Sequence, residues 1–273
     1  MRVIPKIAEY DFEYLESYED IVTDAIEIQL LSKKFSDSLK NIAEICGYFK
    51  KLNYVVLHLS FKCLNIGHIH SCHRVELDFI LFIVKIMELG NILNINFDIL
   101  FHLDNTGEEF EDSGGVEFLE YLCNLVENSR VSFLLENSIR SLNIHLNEMD
   151  NVSYVFQKIR NEKLGFCLDV CHLQASENVY ATKFDLSFEC LNALKNIHFS
   201  KTLNNDGYRD KKKTHGRVHL NKEDVLKDLR YLEEKGISLE NINMVLEISE
   251  DDYINRPDLK YEFLIFKELM QNG

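Results

Sequence analysis

Tyr54-Val55-Val56-Leu57-His58-Leu59-Ser60 is a run of β-branched, aromatic and leucine side chains with a single histidine set into it. A strand with one wet face alternates apolar and polar residues, whereas a strand covered on both faces is apolar at successive positions, which is the condition inside a parallel sheet. Runs of the same kind recur along the chain. They predict strands at Val3–Glu9, Ala25–Leu31, Tyr54–Ser60, Asn96–His102, Val131–Glu136, Gly165–Val170, Asn196–Ser200 and Met244–Ile248, eight in all.

Between the runs lie segments with one apolar stripe and one polar face, predicting helices. After a short first one at Phe12–Thr23 come Ser36–Leu52, Arg74–Leu89, Val116–Asn128, Met149–Asn161, Phe184–Leu194, Asn221–Lys235 and Asp258–Asn272. Asn221 followed by Glu223 and Asp224 is an N-terminal capping pattern, and Pro257-Asp258 suits a first helical turn. Eight βα units in 273 residues predict an α/β fold of the (β/α)8 TIM-barrel type, for which about 250 residues is typical. No Gly/Pro/Ser-rich linker divides residues 1–273, so a single domain is expected. A doubly wound open sheet would carry a glycine-rich phosphate loop after its first strand, where Tyr10-Asp11-Phe12-Glu13 stands instead.

The chain carries 45 acidic against 30 basic residues, a net charge of −15. Such a surface repels a phosphate backbone and disfavours a broad nucleic-acid footprint. No apolar run is long enough to span a bilayer, and Met1-Arg2-Val3-Ile4-Pro5-Lys6 has no secretory h-region. The expectation is a cytoplasmic protein without a membrane partner. Seven scattered cysteines (46, 63, 72, 123, 167, 171 and 190) without CxxC pairs read as reduced, mostly buried thiols.

Chemistry concentrates at the ends of the predicted strands, which in a barrel face one common site. Strand three carries His58, strand four ends in His102, strand five in Glu136 and strand six in Asp169 with His172 three residues on. Strand seven carries His198 and strand eight Glu247. One such residue alone is an ordinary solvated or hydrogen-bonded strand end. Six successive strands giving only Glu, Asp or His, with no Lys or Arg among them, would bring carboxylates together without a cation. A divalent ion (Zn, Mn, Mg or Fe), one to three per chain, is the simplest relief.

The polar loop 202–219 offers Asp210 and His215 as further ligands, while Lys211–Lys213 with Arg209 and Arg217 form a candidate phosphate holder. His68, His70, Cys72 and His73 match none of the usual paired zinc spacings, so a loop or capping role is expected for them.

Leu135-Glu136-Asn137, Cys167-Leu168-Asp169-Val170-Cys171-His172, Ile197-His198-Phe199-Ser200 and Leu246-Glu247 together resemble the xylose-isomerase-like TIM barrels, over nearly the whole chain. The resemblance to the isomerase and epimerase branch implies that Glu136, Asp169, His198 and Glu247 bind one divalent ion. That of the endonuclease-IV-type branch implies three zinc ions, with His58, His102 and His172 as added ligands. Its Asp-x-His is matched only approximately by Asp210 and His215, which have four residues between them instead of one, and Gly216-Arg217-Val218-His219 replaces the glycine-rich tail.

The function expected from this set is a metal-dependent isomerase or epimerase of a sugar, polyol or sugar phosphate. It would work through an enediolate, with Glu136 and Glu247, roughly opposite across the barrel mouth, moving protons on either face of the substrate carbon. The alternative is a multinuclear zinc phosphodiesterase of the AP endonuclease type. A barrel that binds a metal or ligand without catalysis is the third reading.

Overall fold

Pro5 divides the first expected strand into two pieces, β1 (Arg2–Ile4) and β2 (Lys6–Ala8). Proline has no N–H to give to a ladder, but its carbonyl accepts a hydrogen bond from Glu27 N at 2.9 Å. The computed structural model of the protein describes residues 1–32, 34–59, 73–102, 114–137, 148–180, 186–200, 222–247 and 257–272. Asp210, His215, Lys211–Lys213, His68, His70 and Cys72 lie outside them.

The remaining strands are β3 (Ala25–Gln29), β4 (Tyr54–His58), β5 (Asn96–His102), β6 (Val131–Glu136), β7 (Leu164–Asp169), β8 (Leu194–Phe199) and β9 (Asn243–Leu246). Their hydrogen-bonded order is β1-β9-β8-β7-β6-β5-β4-β3-β2. Every pairing is parallel. Because β1 and β2 are successive pieces of one strand, the two ends of this order meet. The first strand serves β9 with its first half and β3 with its second, and the sheet closes into the expected (β/α)8 barrel. A doubly wound sheet, which keeps two free edges, is excluded by that closure.

Outside the sheet lie a 3-10 helix (Asp11–Tyr18) and α1 (Phe35–Tyr48), α2 (His73–Leu93), α3 (Gly115–Leu125), α4 (Glu148–Lys158), α5 (Val170–Tyr180), α6 (Phe188–Ala193), α7 (Lys222–Glu234) and α8 (Pro257–Asn272). Two differ from expectation. The helix read from Phe184 is described only as the short α6, capped by Ser187 Oγ, which accepts from Cys190 N at 3.2 Å. α5, which is not among the expected helical segments, follows β7 without a loop. Val170, Cys171 and Leu173 extend the apolar run of the strand, so periodicity does not mark where one element becomes the other.

Alternate residues of each strand serve different layers. Ile26, Ile28, Val55, Leu57, Ile99, Phe101, Phe133, Phe166 and Phe199 belong to the main core, together with helix residues such as Phe79, Ile83 and Phe266. The other parity fills the barrel. Val56, Leu100, Leu134 and Cys167 form one apolar cluster, and Ile4, Ala25 and Val245 a second. At the N-terminal end Tyr54 Oη donates to Asp98 Oδ2 at 2.6 Å, and Asn243 Nδ2 donates to Asn196 Oδ1 at 2.9 Å. Two residues beyond Val56, Leu100, Leu134 and Cys167 stand His58, His102, Glu136 and Asp169. The spacing that buries the apolar plug therefore aims the four ligand types into the same interior.

Cys46, Cys123, Cys167, Cys171 and Cys190 are buried thiols not joined in disulfides, as expected, while Cys63 and Cys72 lie outside the described residues. Among the described residues no helix is long and apolar enough to cross a membrane.

Candidate metal centre

Glu136, at the end of β6, is the point on which the interior side chains converge. Its Oε1 lies 3.0 Å from His198 Nδ1. Its Oε2 lies 3.2 Å from His102 Nε2 and 3.4 Å from His58 Nε2. Three imidazoles from β4, β5 and β8 thus face one fully buried carboxylate. Glu247, following β9, reaches the same nitrogen of His198 with Oε2 at 2.7 Å. Glu136 and Glu247 therefore meet at one imidazole instead of facing each other across an open mouth, which corrects the placement expected from the strand order.

Asp169 is both a helix cap and a member of this cluster. Its Oδ1 accepts from His172 N at 2.7 Å, three residues on, which is N-cap geometry for α5. His172 Nδ1 lies 2.9 Å from the carbonyl oxygen of Asn137 and 3.5 Å from Asp169 Oδ2. Donating Nδ1–H to that carbonyl leaves Nε2 as the nitrogen with the lone pair, the tautomer a ligand would need. The His172 and His102 rings stand 6.3 Å apart.

Two further interior residues lie away from the C-terminal strand ends, in positions that a pattern of polar residues closing apolar runs does not reach. Glu27 sits in the middle of β3 and Lys6 begins β2, both with no exposed surface. Lys6 Nζ lies 3.0 Å from Glu27 Oε1, 2.7 Å from Glu247 Oε1 and 2.7 Å from His58 Nδ1. The expectation of a cluster without a cation is corrected by this ammonium. Both residues had a signal, since a charged residue inside a run apolar on both faces has to point at a partner.

The charges respond to one another. Burial pushes the Glu136 carboxyl up, but His198, His58 and His102 outweigh it and bring it down to about 2. Glu27 is likewise held well below the ordinary carboxylate range, against its burial, by His198 and Lys6. Burial lowers His198, yet the negative groups around it, Glu27, Glu136 and Glu247 among them, raise it well above the usual imidazole value. His102 goes the other way, brought down to about 4 by burial against the pull of Glu136. His172 is raised, with Asp169 and Glu136 overcoming burial.

Ligand atoms within 4.8 Å of one another form three groups among the described residues: Glu27, His58 and His198; His58, His102 and Glu136; and Glu136, Asp169, His198 and Glu247. The last is the four-residue set that the resemblance to the isomerase and epimerase branch implied, and Glu136 also belongs to the second. The donors fit a divalent ion. Glu136 Oε2 is buried and makes no hydrogen bond, yet has two imidazole nitrogens within 3.4 Å. Mixed carboxylate oxygens and imidazole nitrogens suit a borderline cation such as zinc or manganese.

The chain is 27% identical over 196 residues to the probable endonuclease 4 of Petrotoga mobilis, a match covering 68% of this chain and 66% of that protein. Among solved structures, a xylose isomerase domain containing protein of Salmonella typhimurium superposes with a TM-score of 0.64 at 11% identity, covering 98% of this chain and 96% of the other. A D-tagatose 3-epimerase-like protein gives 0.61 at 17% identity, covering 97% and 98%. At such identities the structural likeness shows the fold. The family described as xylose isomerase-like TIM barrel matches residues 4–266, and with the closed barrel and its interior cluster this places the chain in that family.

Proposed function

We propose that this chain is a divalent-metal-dependent phosphodiesterase of the endonuclease 4 type. The observation that carries the reading is the sharing of Glu136 between two ligand groups, one completed by His58 and His102 and the other by Asp169, His198 and Glu247. A carboxylate with one oxygen facing each group is suited to bridge two ions, and a site for one ion has no use for the imidazoles of β4 and β5. The similarity to a probable endonuclease 4 supports the same branch.

In this reading His58, His102, His198, Glu136, Asp169 and Glu247 hold the ions, and His172 stands beside Asp169 as a further ligand or its support. Bound ions would supply the Lewis acidity that phosphodiester hydrolysis needs at neutral pH. The chain's own part is orientation. Asn137 fixes the Asp169 backbone, Asp169 caps α5 and so sets where His172 stands, and burial keeps His102 neutral and able to donate its lone pair. Asp210, His215 and the Lys211–Lys213 run, which follow β8 in sequence, complete the proposal, the lysines as the place for a phosphate of the substrate.

The second reading is a one-ion isomerase or epimerase of a sugar, polyol or sugar phosphate. It is favoured by the completeness of the Glu136, Asp169, His198 and Glu247 group by itself. One experiment separates the two. The zinc-loaded protein is assayed on an oligonucleotide duplex with a single abasic site and on a ketohexose, each with and without chelator, and its metal is counted by elemental analysis. Chelator-sensitive cleavage with two or three ions per chain is expected; epimerisation with one ion overturns the phosphodiesterase reading.

A further inference from the structure

Glu27 touches the cluster from the side away from Glu136. Its Oε2 lies 2.9 Å from His198 Nε2 and its Oε1 lies 3.0 Å from His58 Nδ1. The opposite nitrogen of each ring faces the shared carboxylate, His198 Nδ1 at 3.0 Å and His58 Nε2 at 3.4 Å. One carboxylate thus spans the rear of two imidazoles whose fronts meet at Glu136. A neutral imidazole has one N–H and one lone pair, and the hydrogen bond made by one nitrogen decides which. A carboxylate only accepts, so Glu27 Oε2 holds the hydrogen on His198 Nε2. Nδ1, the nitrogen that lies among Glu136, Asp169 and Glu247, also faces carboxylate oxygens, Glu136 Oε1 at 3.0 Å and Glu247 Oε2 at 2.7 Å, so a bound ion would take the place of the hydrogen there while Glu27 keeps the one on Nε2.

We propose that Glu27 is a positioning residue of the metal centre, fixing the tautomer and ring plane in which His198 Nδ1 is the ligand atom. Lys6 is the fixed cation that partners this carboxylate in the barrel, at 3.0 Å. Glu27, His58 and His198 have the outline of a metal group themselves. The Lys6 ammonium, 3.0 Å from Glu27 Oε1 and 2.7 Å from His58 Nδ1, already stands in the cation's place there. His58 Nδ1 faces both Glu27 and Lys6, so the commitment is to His198. The proposal rests on the metal-centre reading above, and holds for either reaction.

The test titrates zinc into the metal-free full-length protein against a chromophoric chelator, for the wild type, Glu27→Gln and the double variant Glu27→Gln/Lys6→Met. A glutamine can turn its amide to donate or to accept, so it no longer selects the tautomer. The double variant removes the ammonium as well, so that Lys6 is not left facing a neutral amide, and Glu247, which loses Lys6, keeps His198 at 2.7 Å; this guards against simple misfolding. The expected result is a zinc affinity about 10- to 100-fold weaker in both variants, with a far-UV circular dichroism spectrum like that of the wild type. Wild-type affinity in the folded double variant overturns the positioning role while leaving the metal centre standing. A wild-type protein that takes up no zinc overturns the metal-centre reading and this proposal with it.

Discussion

Asn137 and Asp169 are joined by two hydrogen bonds between a side chain and a backbone: Asn137 Nδ2 donates to the Asp169 carbonyl oxygen at 2.9 Å, and Asp169 N donates to Asn137 Oδ1 at 2.7 Å. The amide behaves as one more peptide unit. It carries the pairing of β6 with β7 past the last register pair, Glu136 with Cys167, and so sets the height at which the Asp169 carboxylate enters the barrel.

Asn137→Leu keeps the branched shape and removes both bonds, leaving two buried backbone groups without this partner. The expected cost is about 1–3 kcal/mol in the metal-free protein, measured by urea unfolding, together with weaker zinc binding. Asn137→Leu with unchanged zinc affinity would show that Asp169 is placed by its role as helix cap alone.

Much of this was legible in the chain before any coordinates. The parallel barrel followed from runs apolar at successive positions, and the wider set of His, Glu and Asp side chains from polar residues ending those runs, whereas the choice of Glu136, Asp169, His198 and Glu247 as one group came from the resemblance to the isomerase and epimerase branch. What was not legible has physical causes. Lys6 and Glu27 lie within strands, where burial normally excludes charge unless the partner comes from elsewhere, and that partner is distant in sequence for both. The start of α5 was hidden because Val170 and Cys171 are as apolar as the strand they follow.

The charges of the metal-free site set its pH response. His102, held at about 4, refuses a proton that the unfolded chain accepts near 6.5, so its contribution falls as pH drops between those values. Glu136, at about 2, contributes fully above its unfolded value of 4.5 and loses this as pH falls towards 2. His198 is raised, so its contribution is complete below 6.5 and is lost only as pH rises through its folded value. The Tm of chelated protein is therefore expected to fall from pH 6.5 to pH 4. A Tm that rises over that interval would contradict the arrangement of His102 and Glu136.

At the other end of the barrel, Tyr54 Oη donates to Asp98 Oδ2 at 2.6 Å. Burial raises the Asp98 carboxyl, so loss of this donor falls on a group already short of water. Tyr54→Phe is expected to lower stability by about 1–3 kcal/mol while zinc stoichiometry and activity stay at the wild-type level. A change in metal count would mean that the two ends of the barrel are coupled through the Val56, Leu100, Leu134 and Cys167 layer.

Glu136→Gln and His102→Ala together decide how many ions the barrel uses. Glu136 belongs to both the His58–His102 group and the four-residue group, so Glu136→Gln weakens the ions of both groups at once and lowers activity by roughly a hundredfold or more. His102 lies 3.2 Å from the shared Oε2 and belongs to the first group only. In a multinuclear site His102→Ala removes one equivalent of zinc and leaves the ion of Glu136, Asp169, His198 and Glu247 in place, which elemental analysis after gel filtration detects directly. In a one-ion site the same substitution leaves the count unchanged, because His102 would then be only a buried neighbour of Glu136. An unchanged count in His102→Ala would turn the assignment from the phosphodiesterase to the epimerase.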